Sequence, residues 1–181
     1  MCDRAGAWLV LILGFAGWSA SLTLTIERFR LLTEPGYTPS CSIDPTISCG
    51  SIMASPQAAV FGFPNPIIGV VGFSVVVTLG VLAVAGTAVP QWFWGSVALG
   101  AGLGVAFVGW LIFQALYRIN ALCPYCMVVW AATPALLATS ARQLWPNSIV
   151  VQWRWTLLTV GYVIVAVLVF LRFQDYWLSL L

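Results

Sequence analysis

No charged side chain interrupts the chain from Pro66 to Tyr117. A membrane-spanning helix needs about 20 apolar residues, so this stretch is too long for one span and right for two. Thr87-Ala88-Val89-Pro90-Gln91 supplies the break, because proline disfavours helix at itself and at the residue before it. The rest of the chain continues in the same manner. Apolar residues make up 61% and charged residues 7%, against roughly 25% charged in a soluble domain. We therefore expect an all-α integral membrane protein, a single membrane domain over 1–181. Its spans fall at about 5–27, 66–86, 92–117, 120–141 and 155–172, and a long loop fills about 28–65. The fifth span has a short uncharged core, but Arg154 and Arg172 can snorkel at its ends. The first could pass for a signal peptide, with Arg4 ahead of it and a small-residue site at Ser19-Ala20-Ser21. Its apolar run is nonetheless long enough to span.

Charge also excludes functions. The seven basic residues are all arginines, the net charge is +2 and there is no histidine. No basic patch exists for nucleic acid. The commonest general base and metal ligand is missing, which leaves thiols as the principal reactive groups.

Four of the five cysteines fall in two pairs. Cys41 and Cys49 sit in the long loop among Pro35, Pro39, Pro45, Pro56 and Pro64. Cys123-Pro124-Tyr125-Cys126 opens the fourth span. One crossing precedes the first pair and three precede the second, so both pairs lie on the same side of the membrane. Cys2 lies on the opposite side and reads as a reduced, uninvolved thiol. The arginines do not decide orientation by the positive-inside rule: Arg4, Arg142 and Arg154 lie on one side, and Arg28, Arg30, Arg118 and Arg172 on the other. Disulfides persist on the oxidising side, which places both pairs outside.

A Cys-x-x-Cys pair at a helix start has a physical purpose. The helix dipole and free N–H groups stabilise a thiolate there, and proline fits the first turn at no cost. Cys126, about one turn in, is expected to lie toward the bilayer and Cys123 to face the aqueous loop. Asp44-Pro45 between the loop cysteines is a turn signal. Residues 51–61 read as a short surface helix or an irregular apolar loop. A zinc site and two static disulfides are alternatives to a redox relay, but closely spaced disulfides tend to be labile.

Cys41-Ser42-Ile43-Asp44-Pro45-Thr46-Ile47-Ser48-Cys49-Gly50-Ser51, Asn65-Pro66-Ile67-Ile68-Gly69 and Cys123-Pro124-Tyr125-Cys126 together resemble the vitamin K epoxide reductase family, its bacterial members best. The similarity covers about residues 8 to 145. It implies a four-helix bundle around a quinone, with the cysteine loop as a lid and, here, a fifth transmembrane helix. It implies electron flow from a thioredoxin-like protein to Cys41, through Cys49 to Cys123, and from Cys126 to the quinone. No metal is implied. Asn65 matches the asparagine that hydrogen-bonds a quinone carbonyl. Its other reading is a helix cap ahead of Pro66. Trp130, four residues after Cys126 on the same helix face, stands where vertebrate members have tyrosine, and Met53 takes the place of a pocket aromatic. Those departures favour a plain membrane quinone, menaquinone or ubiquinone, over vitamin K epoxide. Many bacterial relatives carry a fused thioredoxin-like domain. This chain leaves no room for one before Leu181, so a separate DsbA-like partner outside a bacterial plasma membrane is expected. A quinone or epoxide reductase making hydroquinone, and a membrane scaffold with structural disulfides or zinc, are the alternative functions.

Overall fold

The computed structural model describes residues 4–179, so Cys2 lies outside the described residues. The helices are α1 (Arg4–Thr33), α2 (Cys49–Ala54), α3 (Pro66–Val84), α4 (Gln91–Gln114), α5 (Pro124–Leu144), α6 (Ile149–Gln152), α7 (Arg154–Arg172) and α8 (Gln174–Ser179). A 3-10 turn (Pro56–Ala59) follows α2, and a π-helical turn (Ala115–Ile119) extends α4. Among the described residues, five helices are long and apolar enough to cross a membrane: α1, α3, α4 with its π turn, α5 and α7. The chain is an all-α multi-pass membrane protein.

Apolar burial cannot hold such helices together, because lipid is as apolar as leucine. Small residues that allow close approach do so instead. On α1, Ala7, Val10, Gly14, Gly17, Ser21 and Leu24 are buried at alternating spacings of three and four, one face of a helix. This face packs on α3, and α1 and α4 each pack on α5. Gly17 shows why the fit is close: a Cβ there would lie 2.3 Å from the Phe73 ring. Gly80 meets the α1 backbone, where a Cβ would stand 2.7 Å from Leu11 Cα. By contrast α3 and α4 hardly touch, which leaves a gap between them.

Three boundaries differ from the sequence expectation. Helix α1 runs to Thr33, past the expected end at 27, because Glu27 does not face water. Its carboxylate is buried and bonded (below). Span four does not begin at 120. Asn120 adopts a left-handed conformation, φ 57°, which asparagine tolerates. It closes the π turn, and α5 starts at Pro124. The expected surface helix over 51–61 is two pieces broken at Ser55 (ψ 151°), as the following Pro56 requires.

Helix α7 packs chiefly on α5, and its far end joins the cluster of Val108, Leu116 and Trp130 through Val169. Tyr162 on α7 donates to the Ala131 carbonyl on α5. Arg172, exposed at the end of α7, donates from Nε to the Leu116 carbonyl at 2.9 Å and from Nη2 to Asn120 Oδ1. That turn carries α8 beneath the cysteine loop.

Candidate functional site

The loop is built by local hydrogen bonds, then fixed by distant ones. Asp44 Oδ1 accepts from the Thr46 and Ile47 amides at 2.8 and 2.9 Å, so Asp44-Pro45 is the turn its residues signal. Ser42 Oγ accepts from the Gly50 amide at 3.0 Å, and Ser48 caps α2. The turn thereby brings the Cys41 and Cys49 alpha carbons to 5.6 Å, and the two are joined in a disulfide. The loop then bridges to the segment before α5: Leu122 N donates to the Thr46 carbonyl at 2.7 Å, and Ser48 N to the Leu122 carbonyl at 2.9 Å.

This bridge sets Cys49 Sγ 3.1 Å from Cys123 Sγ. Cys123 and Cys126 are free thiols. The structure thus gathers both pairs on one side of the membrane. Cys123 caps α5, its sulfur accepting from the Cys126 amide at 3.4 Å. Its thiol is held below the ordinary range, first by the Cys126 side-chain hydrogen bond, then by the Cys126 and Tyr125 backbone N–H groups, against burial that raises it. Cys123 faces the loop, as expected, but the loop shuts it off from water. It is 0% exposed beneath the loop, while Cys126 lines a cavity on the other side. The sulfurs of Cys41, Cys49 and Cys123 lie within 4.8 Å of one another. Two of them are bonded together, whereas a zinc ligand must be a free thiolate.

The cavity, about 700 Å³, fills the gap between α3 and α4. Cys126, Val129, Trp130 and Thr133 of α5 form its back, with Ser21, Leu24 and Arg28 of α1; Met53, Gln57, Ala58 and Phe61 form its lid. Phe61 meets Phe107 at a tilt, ring centres 5.7 Å apart, and Phe107 stacks on Trp110 at 5.8 Å, joining the lid to α4. Such a space, apolar with few convergent polar groups, has the form of a ligand pocket.

Met53 (3% exposed) touches both halves of the site: it packs in the cluster with Cys41, Cys49 and Cys123 and it lines the cavity. Trp130 is buried along the cavity's back. Asn65 also lines it but is not a side-chain cap: it makes no capping hydrogen bond. Its Nδ2 donates to the Gln57 carbonyl at 2.7 Å, and its Oδ1 accepts from the Val60 amide at 3.2 Å. An amide has a second N–H, so Asn65 can brace the lid and still donate into the cavity.

Two contacts of the site had no reading in the sequence. Glu27 is buried, accepting from Tyr37 Oη at 2.7 Å, Ser40 Oγ at 2.7 Å and Ser40 N at 3.4 Å. It anchors the residue next to Cys41. A carboxylate closing an apolar span is a signal for such a site. Tyr176 on α8 donates to Asp44 Oδ2 at 2.9 Å; no local pattern announces a contact across so much chain.

A family model, the vitamin K epoxide reductase family, matches residues 8–141. The chain belongs to that family. No curated protein matches it. Membership makes the chain a membrane thiol oxidoreductase of the kind that reduces a quinone or its epoxide. The match spans both cysteine pairs and α1 to α5, and leaves α7 and α8 outside it.

Proposed function

We propose that this family member reoxidises a separate extracytoplasmic thioredoxin-fold protein of the DsbA-like type and passes the electrons to a membrane quinone, menaquinone or ubiquinone, supporting disulfide formation outside a bacterial plasma membrane. The observation that carries this reading is the 3.1 Å approach of Cys49 Sγ to Cys123 Sγ between a bonded outer pair and a free inner pair. Thiol exchange needs direct sulfur contact.

The steps balance as follows. The partner's dithiol reduces Cys41–Cys49 by attack at Cys41, leaving two thiols and an oxidised partner. Cys49 thiolate attacks Cys123 of the inner disulfide and expels Cys126 thiolate. Cys41 thiolate then attacks Cys49, re-forms Cys41–Cys49 and releases Cys123. The structure has the bonding of that moment, with the electron pair on Cys123 and Cys126. Oxidation of this pair by quinone forms one disulfide and delivers two electrons and two protons, yielding hydroquinone. Cys126 serves the ring because it lines the cavity with Asn65, Trp130 and Met53. Cys123 serves the loop.

The test mixes the purified full chain, a quinone and a reduced thioredoxin-fold protein, and follows quinone absorbance. We expect quinone loss matched by partner oxidation, absent in Cys41→Ser. Quinone consumption with a small dithiol but never with the protein partner would overturn the proposed place in disulfide formation.

A further inference from the structure

Arg28 is the charged residue among those lining the cavity, and nothing above has used it. It lies one turn beyond Leu24 and two beyond Ser21, both of which also line the cavity, so the three share a face of α1. Its neighbours are committed elsewhere. Glu27 accepts from Tyr37 and Ser40, and the Arg30 guanidinium lies 5.9 Å from the Tyr37 ring centre. Arg28 Nε is buried and has no hydrogen-bond partner. A buried donor without an acceptor is costly, and an arginine close to the membrane boundary can usually snorkel to water.

Arg28 near the end of α1, Ser55 and Gln57 in the lid, Asn65 ahead of α3 and Gln114 at the end of α4 stand on the cysteine side of the cavity. Farther on it is lined by Phe93, Val97 and Leu136 with Ser96 and Thr133, whose hydroxyls donate to carbonyls of their own helices. The Asn65 carbonyl oxygen accepts from Val60, and no protein group accepts from Arg28 Nε. The end is rich in donors and lacks a counter-anion, which fits an oxygen that carries or acquires negative charge.

We infer that Arg28 binds a ring oxygen at the head of the cavity and stabilises negative charge there. The inference rests on the quinone reading above. When Cys123 and Cys126 give up two electrons and two protons, the protons come from the thiols. Arg28 supplies none, since a guanidinium does not deprotonate in proteins. Its part is to hold an oxygen that gains electron density ahead of its proton, by a charge-assisted hydrogen bond. The site should therefore prefer an acidic, ionised ring over a neutral one of the same shape.

The experiment is titration calorimetry on the full chain in nanodiscs with both cysteine pairs oxidised, so that no turnover occurs. The probes are a methyl-substituted naphthoquinone, which is neutral, and a hydroxy-substituted one, which is ionised at neutral pH. Arg28→Met should weaken the ionised probe by about tenfold or more and change the neutral probe far less. Arg28→Lys should keep most of the preference. If Arg28→Met weakens both probes equally or neither, or if Arg28→Lys behaves like Arg28→Met while neutral binding persists, the inference is overturned. If neither probe binds wild type, the ring-site reading fails and the inference with it.

Discussion

Outside the Cys123–Cys126 pair, the loop is held by hydrogen bonds between residues far apart in sequence: Glu27 with Tyr37 and Ser40, Leu122 with Thr46, Asp44 with Tyr176. Inside the pair, the cavity has apolar walls and a gap where α3 and α4 barely meet. The difference follows from what each side must do. Sulfur exchange needs contact at bonding distance, so the loop must be placed to a few tenths of an ångström, and directional bonds do that. A lipid-soluble ring must enter and leave, which apolar walls and an incomplete seal permit. Changes on the loop side should therefore alter which disulfides form. Changes on the cavity side should alter ring binding and leave the disulfides intact.

The largest effect should come at the junction. Cys126→Ser removes one of the two thiols that can break a Cys49–Cys123 disulfide and leaves only Cys41 to do so, so that disulfide should accumulate and quinone reduction should fall to background. Cys49→Ser leaves Cys41 a lone thiol; offered a single-cysteine thioredoxin-fold partner carried as a mixed disulfide with a small thiol, Cys41 should displace that thiol and stay joined to the partner, while a small dithiol still feeds Cys123–Cys126. Non-reducing gels with mass spectrometry of the bridged peptides read both outcomes. Quinone reduction at the wild-type rate in Cys126→Ser would erase the division between the two regions.

Next comes Glu27. Hydrogen bonds to a charged group are each worth about 1.5–3 kcal/mol, and Glu27→Ala strands two hydroxyl donors beside Cys41. We expect loss of stability of about 1.5–3 kcal/mol by thermal unfolding in detergent. The fraction of chain with Cys49 bridged to Cys123 in a Cys126→Ser background should fall with it. Ring binding should hold. An equal loss of ring affinity would show that the regions are not separable at α1.

Asn65 tests the boundary from the cavity side. Asn65→Ala leaves the Gln57 carbonyl and Val60 amide unpaired, at about 1–3 kcal/mol if they stay buried, and removes a donor from the cavity. Quinone KM should rise while the Cys41–Cys49 disulfide forms normally. Unchanged kinetics in Asn65→Ala and Trp130→Ala alike would reduce both residues to packing.

The two regions were also unequally legible in the sequence. The charge-free stretches between Ala5 and Ile26 and between Pro66 and Tyr117 mark spans because lipid admits little else. Spacing and parity put the four cysteines on one side. Both arguments are local or additive. Where the sequence misleads, a side-chain bond to a residue outside the element is usually responsible. Glu27 looked like the end of span one, yet α1 continues to Thr33 because Tyr37 and Ser40 neutralise the burial cost. Asn120 looked helical, yet it takes a left-handed conformation and bonds Arg172. Asn65 had a cap as one of its two readings, yet it makes no side-chain cap and its amide turns to the lid. Arg28 carries no pattern at all; only the cavity around it gives it meaning.

The smallest effect should come from the α8 contact, and pH makes it separable. On the proposed reading a protein partner reaches Cys41, which is 7% exposed, and the loop lifts to admit it. Tyr176 holds it down through Asp44. The Asp44 carboxyl lies below its ordinary range, chiefly through the Ile47 amide, with Tyr176 and Thr46 adding. A carboxyl lowered in this way stabilises the closed loop above its ordinary value, and that contribution is lost as pH falls through the lowered value. Wild type should therefore hold Cys41 closed at neutral pH and loosen in acid. Tyr176→Phe should open it at neutral pH, by less than about tenfold for a pair still reached by solvent, and should converge with wild type in acid. The readout is the rate at which a phosphine, which needs no thiolate, reduces Cys41–Cys49 across pH. Identical profiles for wild type and Tyr176→Phe would mean that α8 does not hold the loop, and that the ordered side of the molecule ends at the bridge between Thr46 and Leu122.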